Sequence, residues 1–224
     1  MPSKNRLKVY IENGFYHIYN RGVAKQNIFE DENDYTAFLH LLKYYLSPPN
    51  EILVHPLWES GLFKPVRMRA LANLHKEIEL LCYCLMPNHF HLVVKQITRN
   101  GMTNLMRAIS TCYAMNFNKK YDRVGYLFQG RYKAALIDNE NYLLHLSRYI
   151  HQNPSELTGT DPVNWPYSSY QYFLGKKNAI WIKPELILSY FNRNPENSLS
   201  YKSFVEEYTN QSDEIIFDYL LETD

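Results

Sequence analysis

The run "EIELLCYCLMPNHFHLVVKQ", residues 77–96, is apolar on both sides of a Pro-Asn-His break. Residues 77–86 and 90–96 are rich in β-branched, aromatic and large aliphatic side chains, and "PNH" between them carries turn chemistry. The run therefore predicts two strands joined as a hairpin. Within the second strand, His89 and His91 stand one residue apart where Val or Ile would be the ordinary choice. Residues i and i+2 of a strand share a face, so the two imidazoles project together from Cα atoms about 6.6 Å apart and can reach one divalent ion. Cys82 and Cys84 on the first strand open a second possibility, a Cys₂His₂ zinc site, and hairpin parity governs it. If Leu85 pairs with His89, the cysteines face away from the histidines. If Met86 pairs with His89 across Pro87-Asn88, Cys84 faces His91.

Outward from this hairpin the pattern alternates. Upstream, "GFYHIYNRG" (14–22) reads as a strand closed by an Asn-Arg-Gly turn. "DENDYTAFLHLLKYYL" (31–46) repeats Tyr35, Phe38, Leu39, Leu42 and Tyr45 at helical spacing, with acids in its first turn and Pro48-Pro49 beyond it. Residues 47–78 give no clear pattern; they hold prolines and a basic "KPVRMRA". Downstream, Thr103 is placed to cap a helix to about Lys120, "GRYKAALI" (130–137) is strand-like, and Asp138 or Asn139 caps a helix to Gln152 that Pro154 stops. The order is β-α-β-β-α-β plus a further helix. It predicts an α+β, ferredoxin-like antiparallel sheet, with the first and third strands central and the histidines on one of them. Residues 1–175 form this domain, and 176–224 read as a helical C-terminal extension.

Composition narrows the classes. The 224 residues carry a net charge of +1, so any nucleic-acid surface must be local. It is found at 119–133, where Lys119, Lys120, Arg123, Arg131 and Lys133 oppose only Asp122 and interleave with Tyr121, Tyr126, Phe128 and Tyr132. Such mixing suits single strands, whose phosphates need charge and whose unpaired bases need flat partners. Arg21 in the Asn-Arg-Gly turn and Arg148 in the last helix are further candidates. Residues 205–224 are opposite in sign, with seven acids and no Lys or Arg. Three cysteines and no signal peptide predict a reducing, cytoplasmic setting, and no apolar run approaches a membrane span.

The segments "YHIYNRG", "YCLMPNHFHLVV", "GYLFQGRYKA", "YLLHLSRYIHQNP" and "WPYSSY", in that order, resemble the single-tyrosine transposases of the IS200/IS605 type. They are most similar to the REP-associated branch, the RAYTs, and the resemblance spans about residues 10–175. It implies a ferredoxin-like fold, a His-hydrophobic-His (HUH) motif that binds Mg²⁺ or Mn²⁺, and a helix-borne tyrosine that attacks DNA. Carried over by position, His89 and His91 are metal ligands, Tyr149 is the nucleophile and Asn153 is the third ligand. Many insertion-sequence relatives have Gln where Asn153 stands, and Asn is shorter by a methylene. The implied activity is cleavage and rejoining of single-stranded, hairpin-containing, REP-like DNA through a 5′-phosphotyrosine, in a bacterial, nucleoid-associated monomer or homodimer. The competing readings are a metal-dependent phosphodiesterase without a covalent intermediate and an inactive ferredoxin-like nucleic-acid-binding module.

Overall fold

The structure, a computed structural model, describes residues 11–49, 73–191 and 200–207. The basic "KPVRMRA" run and the acidic residues from 208 onward lie outside these. Four strands, β1 (Phe15–Arg21), β2 (Ile78–Met86), β3 (His89–Gln96) and β4 (Lys133–Ile137), form one sheet in the order β2-β3-β1-β4. All three pairings are antiparallel. With helices α1 (Glu32–Leu46) and α2 (Gly101–Lys120) this is the expected ferredoxin-like arrangement, and β1 and β3 are its central strands.

A third helix, α3 (Glu140–Gln152), packs against β2 and β4. One face of the sheet buries Ile18, Leu80, Tyr83, Leu85, Phe90 and Leu92 with α1 and α2. The other buries Leu81, Cys82, Cys84, Met86 and Val93 with Leu143, Leu146 and Ile150 of α3. Coverage of both faces explains why β2 reads as a continuous apolar run rather than an alternating one. A bulge between Leu80 and Cys82 lets Leu81 and Cys82 point to the same face. The hairpin register pairs Met86 with His89 and Cys84 with His91, the second of the two parities.

The ends of the elements fix what comes near the histidines. Asp31 caps α1 in a capping box with Asp34. Asn139, of the two candidates, caps α3 by accepting from the Tyr142 amide at 2.8 Å. Thr103 caps nothing: α2 begins two residues earlier, at Gly101, and Thr103 lies in its first turn. Pro154 does not end the coil abruptly either. Asn153 keeps a helical backbone (φ −46°, ψ −41°) and a 3-10 turn, Asn153–Glu156, carries the chain on from α3. The hairpin turn is held by loop 22–29, whose Gly22, Ile28 and Phe29 amides donate to the carbonyls of Asn88 and Pro87. Gly22 is required by close approach, since a Cβ there would stand 2.1 Å from the Gln26 carbonyl oxygen.

Among the described residues, three short helices follow: α4 (Tyr170–Phe173), α5 (Glu185–Phe191) and α6 (Tyr201–Glu206). The described part of the C-terminal segment is packed onto the sheet and α3. Lys183 donates its amide to the Leu80 carbonyl at 2.8 Å. Tyr201 of α6 is buried, with its hydroxyl 2.7 Å from His151 Nδ1 and donating to Ser147 at 3.0 Å. Among the described residues no helix is long and apolar enough to cross a membrane.

Candidate active site: a histidine pair, an amide and a tyrosine in one basic cleft

The register sets the site. Met86-Pro87-Asn88-His89 is a tight turn, so His89 stands at the very start of β3, at the rim of the sheet, with His91 one pleat inside. Both project to the face covered by α3, and their rings lie edge to face at 5.0 Å between centroids. The α3 helix ends above that rim. Its last turn presents Tyr149, whose ring meets the His91 ring edge-on at 5.7 Å. One turn further on, Asn153 directs Oδ1 to 3.2 Å from His89 Nε2. Asn153 is buried, and its Nδ2 donates to the Tyr149 carbonyl at 3.0 Å, which fixes the amide with its oxygen toward the histidine.

A cleft of ≈ 500 Å³ opens over these groups. Among the described residues, Arg21, Arg131 and Lys133 line it, against one acid, Glu156. Its outer wall is the loop before β4. The Gln129 amide donates to the Arg21 carbonyl at 2.9 Å, Arg21 Nε donates to Gln129 Oε1 at 2.6 Å, and Asn20 Nδ2 donates to the Gly130 carbonyl at 3.1 Å. Three cations around a rim of neutral imidazoles make the floor attractive to a phosphodiester.

The imidazoles are held neutral. Burial lowers the pKa of His89, against the opposing effect of the Asn153 contact, and nearby Arg21 lowers it further. Burial also lowers that of His91, well below the ordinary histidine value, with His89 and His17 adding to the effect. Neutral imidazole is the ligating form. His89 then has a shortage of hydrogens. Its Nδ1 lies 2.6 Å from Asn88 Oδ1 and its Nε2 faces Asn153 Oδ1. Both amides are oriented with oxygen inward, because Asn88 Nδ2 donates to the Lys25 carbonyl as Asn153 Nδ2 does to that of Tyr149. A neutral ring carries one N–H and can satisfy only one of two acceptors. Two lone pairs facing each other, one imidazole nitrogen and one amide oxygen, suit a hard or borderline divalent cation, so the residues fit the metal that the HUH motif implies.

The zinc alternative does not assemble. Cys84 faces His91 in register, yet its Sγ contacts Met86 Sδ at 3.8 Å, and burial pushes both thiols far above the ordinary cysteine value. Among the described residues no three His, Cys, Asp or Glu side chains gather around one point. The third polar group beside the histidines is an amide.

The basic residues picked from sequence divide into two sets. Arg21, Arg131 and Lys133 reach the cleft, and Lys133 also lies over the Tyr19 ring at 5.6 Å. Tyr132 beside them is half-buried against the core. Lys119 is exposed at the end of α2, outside the cleft walls. Lys120 is engaged structurally, 2.7 Å from Asp31 and 2.8 Å from Asp34, and ties α2 to the start of α1. Arg123 donates to Gln26 Oε1 at 2.8 Å and covers the Phe117 ring. Arg148 is buried rather than displayed: its Nη2 is 2.7 Å from His145 Nδ1 and its guanidinium lies on the Phe204 ring of α6. Sequence reasoning missed His17, Gln129 and Glu156. His17 of β1 is buried with Nε2 2.8 Å from His91 Nδ1.

With fold and site in place, the molecule has a ferredoxin-like architecture in which the strand bearing the two histidines underlies the helix bearing Tyr149. Comparison with known proteins agrees. Residues 68–153, which carry both histidines, Tyr149 and Asn153, match the family model described as "Transposase IS200 like". The solved structure of a "REP associates tyrosine transposase bound to a REP hairpin" superposes with a TM-score of 0.51 at 14% identity, covering 79% of this chain and 89% of that one. No curated protein matches. The resemblance read from the motifs and the fold expected from the element order are both borne out.

Proposed function

We propose that this protein is a single-tyrosine DNA transposase or endonuclease. It cleaves and rejoins single-stranded, hairpin-containing, REP-like DNA through a 5′-phosphotyrosine on Tyr149. The observation that carries the reading is His89, whose Nε2 and the Asn153 oxygen face one another one helical turn below Tyr149.

His89, His91 and Asn153 would hold a Mg²⁺ or Mn²⁺ ion, which would supply positive charge to polarise the scissile phosphate. Arg21, Arg131 and Lys133 bind the flanking phosphates and orient the strand across the cleft, with Lys119 and Tyr132 further along it. The α3 helix holds the Tyr149 phenol beside His91, so attack is intramolecular within the bound complex. The Tyr149 oxygen forms a bond to phosphorus, the P–O3′ bond breaks, the phenolic proton passes to water, and the 3′ oxygen leaves as a hydroxyl. In the reverse sense a 3′-OH attacks the phosphotyrosine and the phenol is released, so the ester bond is conserved for rejoining. Residues 1–175 constitute this enzyme, with 176–224 as its extension.

The test is Tyr149→Phe, which keeps the ring and removes the hydroxyl. Wild type incubated with a hairpin oligonucleotide and Mn²⁺ should give a denaturation-resistant 5′ adduct that maps to Tyr149. The variant should bind the hairpin and form none. An adduct on Tyr132 or Tyr142, or cleavage that persists in the variant, overturns the assignment. Cleavage by wild type without any adduct identifies a hydrolase instead.

A further inference from the structure

We infer that His17 is a positioning residue that sets the tautomer and orientation of His91, so that His91 offers Nε2 to the metal; this rests on the metal-site reading above. His17 pairs with Val93 across β1 and β3, which makes His91 its diagonal neighbour on the same sheet face. The two rings are buried, nearly parallel at 17° with centroids 5.1 Å apart, and joined by a 2.8 Å contact from His17 Nε2 to His91 Nδ1.

The chemistry of that contact has two settings. One hydrogen lies between the two nitrogens. If it belongs to His17, the neutral His91 ring keeps its own hydrogen on Nε2 and has no lone pair there to ligate with. If it belongs to His91, Nδ1–H donates to His17 and Nε2 is bare. Metal binding at His91 therefore requires the second setting, and His17 is the acceptor that stabilises it. The same logic holds at His89, where the Nδ1 partner is the Asn88 oxygen at 2.6 Å. Each histidine of the pair thus has a hydrogen-bond acceptor behind it, one from the turn and one from the neighbouring strand. Outer partners of this kind orient ligands and change metal affinity by about 10–100-fold when removed. Tyr19 holds His17 in place from the same strand, ring to ring at 4.8 Å.

Mn²⁺ binding to the full chain, followed by calorimetry and by the electron paramagnetic resonance of the ion, tests this without reference to turnover. His17→Phe fills the ring volume but cannot accept a hydrogen bond, and should weaken Mn²⁺ binding about 10-fold or more. His17→Gln, which carries an acceptor oxygen, should recover part of the loss, and thermal denaturation checks that both variants are folded. In Mg²⁺-loaded wild type, long-range ¹H–¹⁵N spectra should show His91 as the Nδ1–H tautomer, a readout that needs no variant. His17→Phe binding Mn²⁺ within twofold of wild type, or a His91 hydrogen on Nε2 in the loaded protein, overturns the inference while leaving the metal site standing. If wild type and His91→Ala bind Mn²⁺ equally, the metal reading itself fails.

Discussion

Acid should destabilise this fold through histidines buried in their neutral form, and His151 isolates the effect. It lies under α3 with both ring nitrogens engaged, Nδ1 at 2.7 Å from Tyr201 Oη and Nε2 at 2.7 Å from Ser169 Oγ. Burial drives its pKa down to about 3, against about 6.5 in an unfolded chain. Because the folded value is the lower one, the unfolded state binds the extra proton first. Stability is then lost as pH falls below about 6.5 and continues to fall until about 3. Between pH 7.5 and 5.5 a single such histidine removes about 1.4 kcal/mol. For a chain of this size that is about 3–6 °C in Tm. His17, also depressed to about 3 by burial, adds a similar loss. The assay is urea unfolding of the metal-free protein at the two pH values, for wild type and His151→Phe. The variant starts less stable at pH 7.5, since Tyr201 and Ser169 lose a partner, but its loss on acidification should be smaller than that of wild type by about 1.4 kcal/mol. Equal acid losses in the two proteins would refute a neutral, buried His151.

His89→Ala or His91→Ala should abolish Mn²⁺-dependent cleavage while hairpin binding stays within a few-fold, measured by gel assay and filter binding on one oligonucleotide. Neutralising Arg131 and Lys133 together should weaken hairpin binding several-fold and flatten its salt dependence, as in phosphate contacts generally; equal affinity for plain duplex and hairpin would point to an undirected basic surface. Lys120→Ala should behave differently, costing roughly 1–2 kcal/mol in urea unfolding through loss of its Asp31 and buried Asp34 partners, with little change in DNA affinity. Gly22→Ala should destabilise by about 1–3 kcal/mol through overpacking against the Gln26 carbonyl, seen as a lowered urea midpoint.

The architecture was largely legible because its signals are local. Helix α1 announces itself by period and by Asp31 in front of it, and the hairpin by two apolar runs around Pro87-Asn88. The misplacements have local causes as well. Thr103 is a good capping type, but α2 begins earlier, where Gly101 packs so tightly on the Glu77 carbonyl that a Cβ there would come within 2.3 Å of its oxygen. Hairpin parity was open in the sequence because both turns are acceptable for Pro-Asn-His. What holds it is tertiary: the Ile28 and Phe29 amides grip the Pro87 carbonyl.

The site divides along the same line. His89 and His91 are a strand pair visible from spacing, whereas Tyr149 and Asn153, a helix pair, are singled out only by the family resemblance. That the halves meet depends on α3 crossing the sheet face at the start of β3, and the 3.2 Å approach of Asn153 to His89 is a contact between residues 64 apart in sequence. His17 is hidden for the stronger reason that its partner is set by the β1–β3 register, which no feature of "FYHIYNR" discloses. The basic candidates divide in the fold. A run of cations reads as one surface, but folding sorts it. Arg131 precedes β4 and Lys133 begins it, both at the cleft. Lys120 instead pairs with Asp31 and Asp34, the cap and the first turn of α1, and Arg148 lies on the Phe204 ring. Here Arg21, Arg131 and Lys133 are the cations that line the cleft over the histidines.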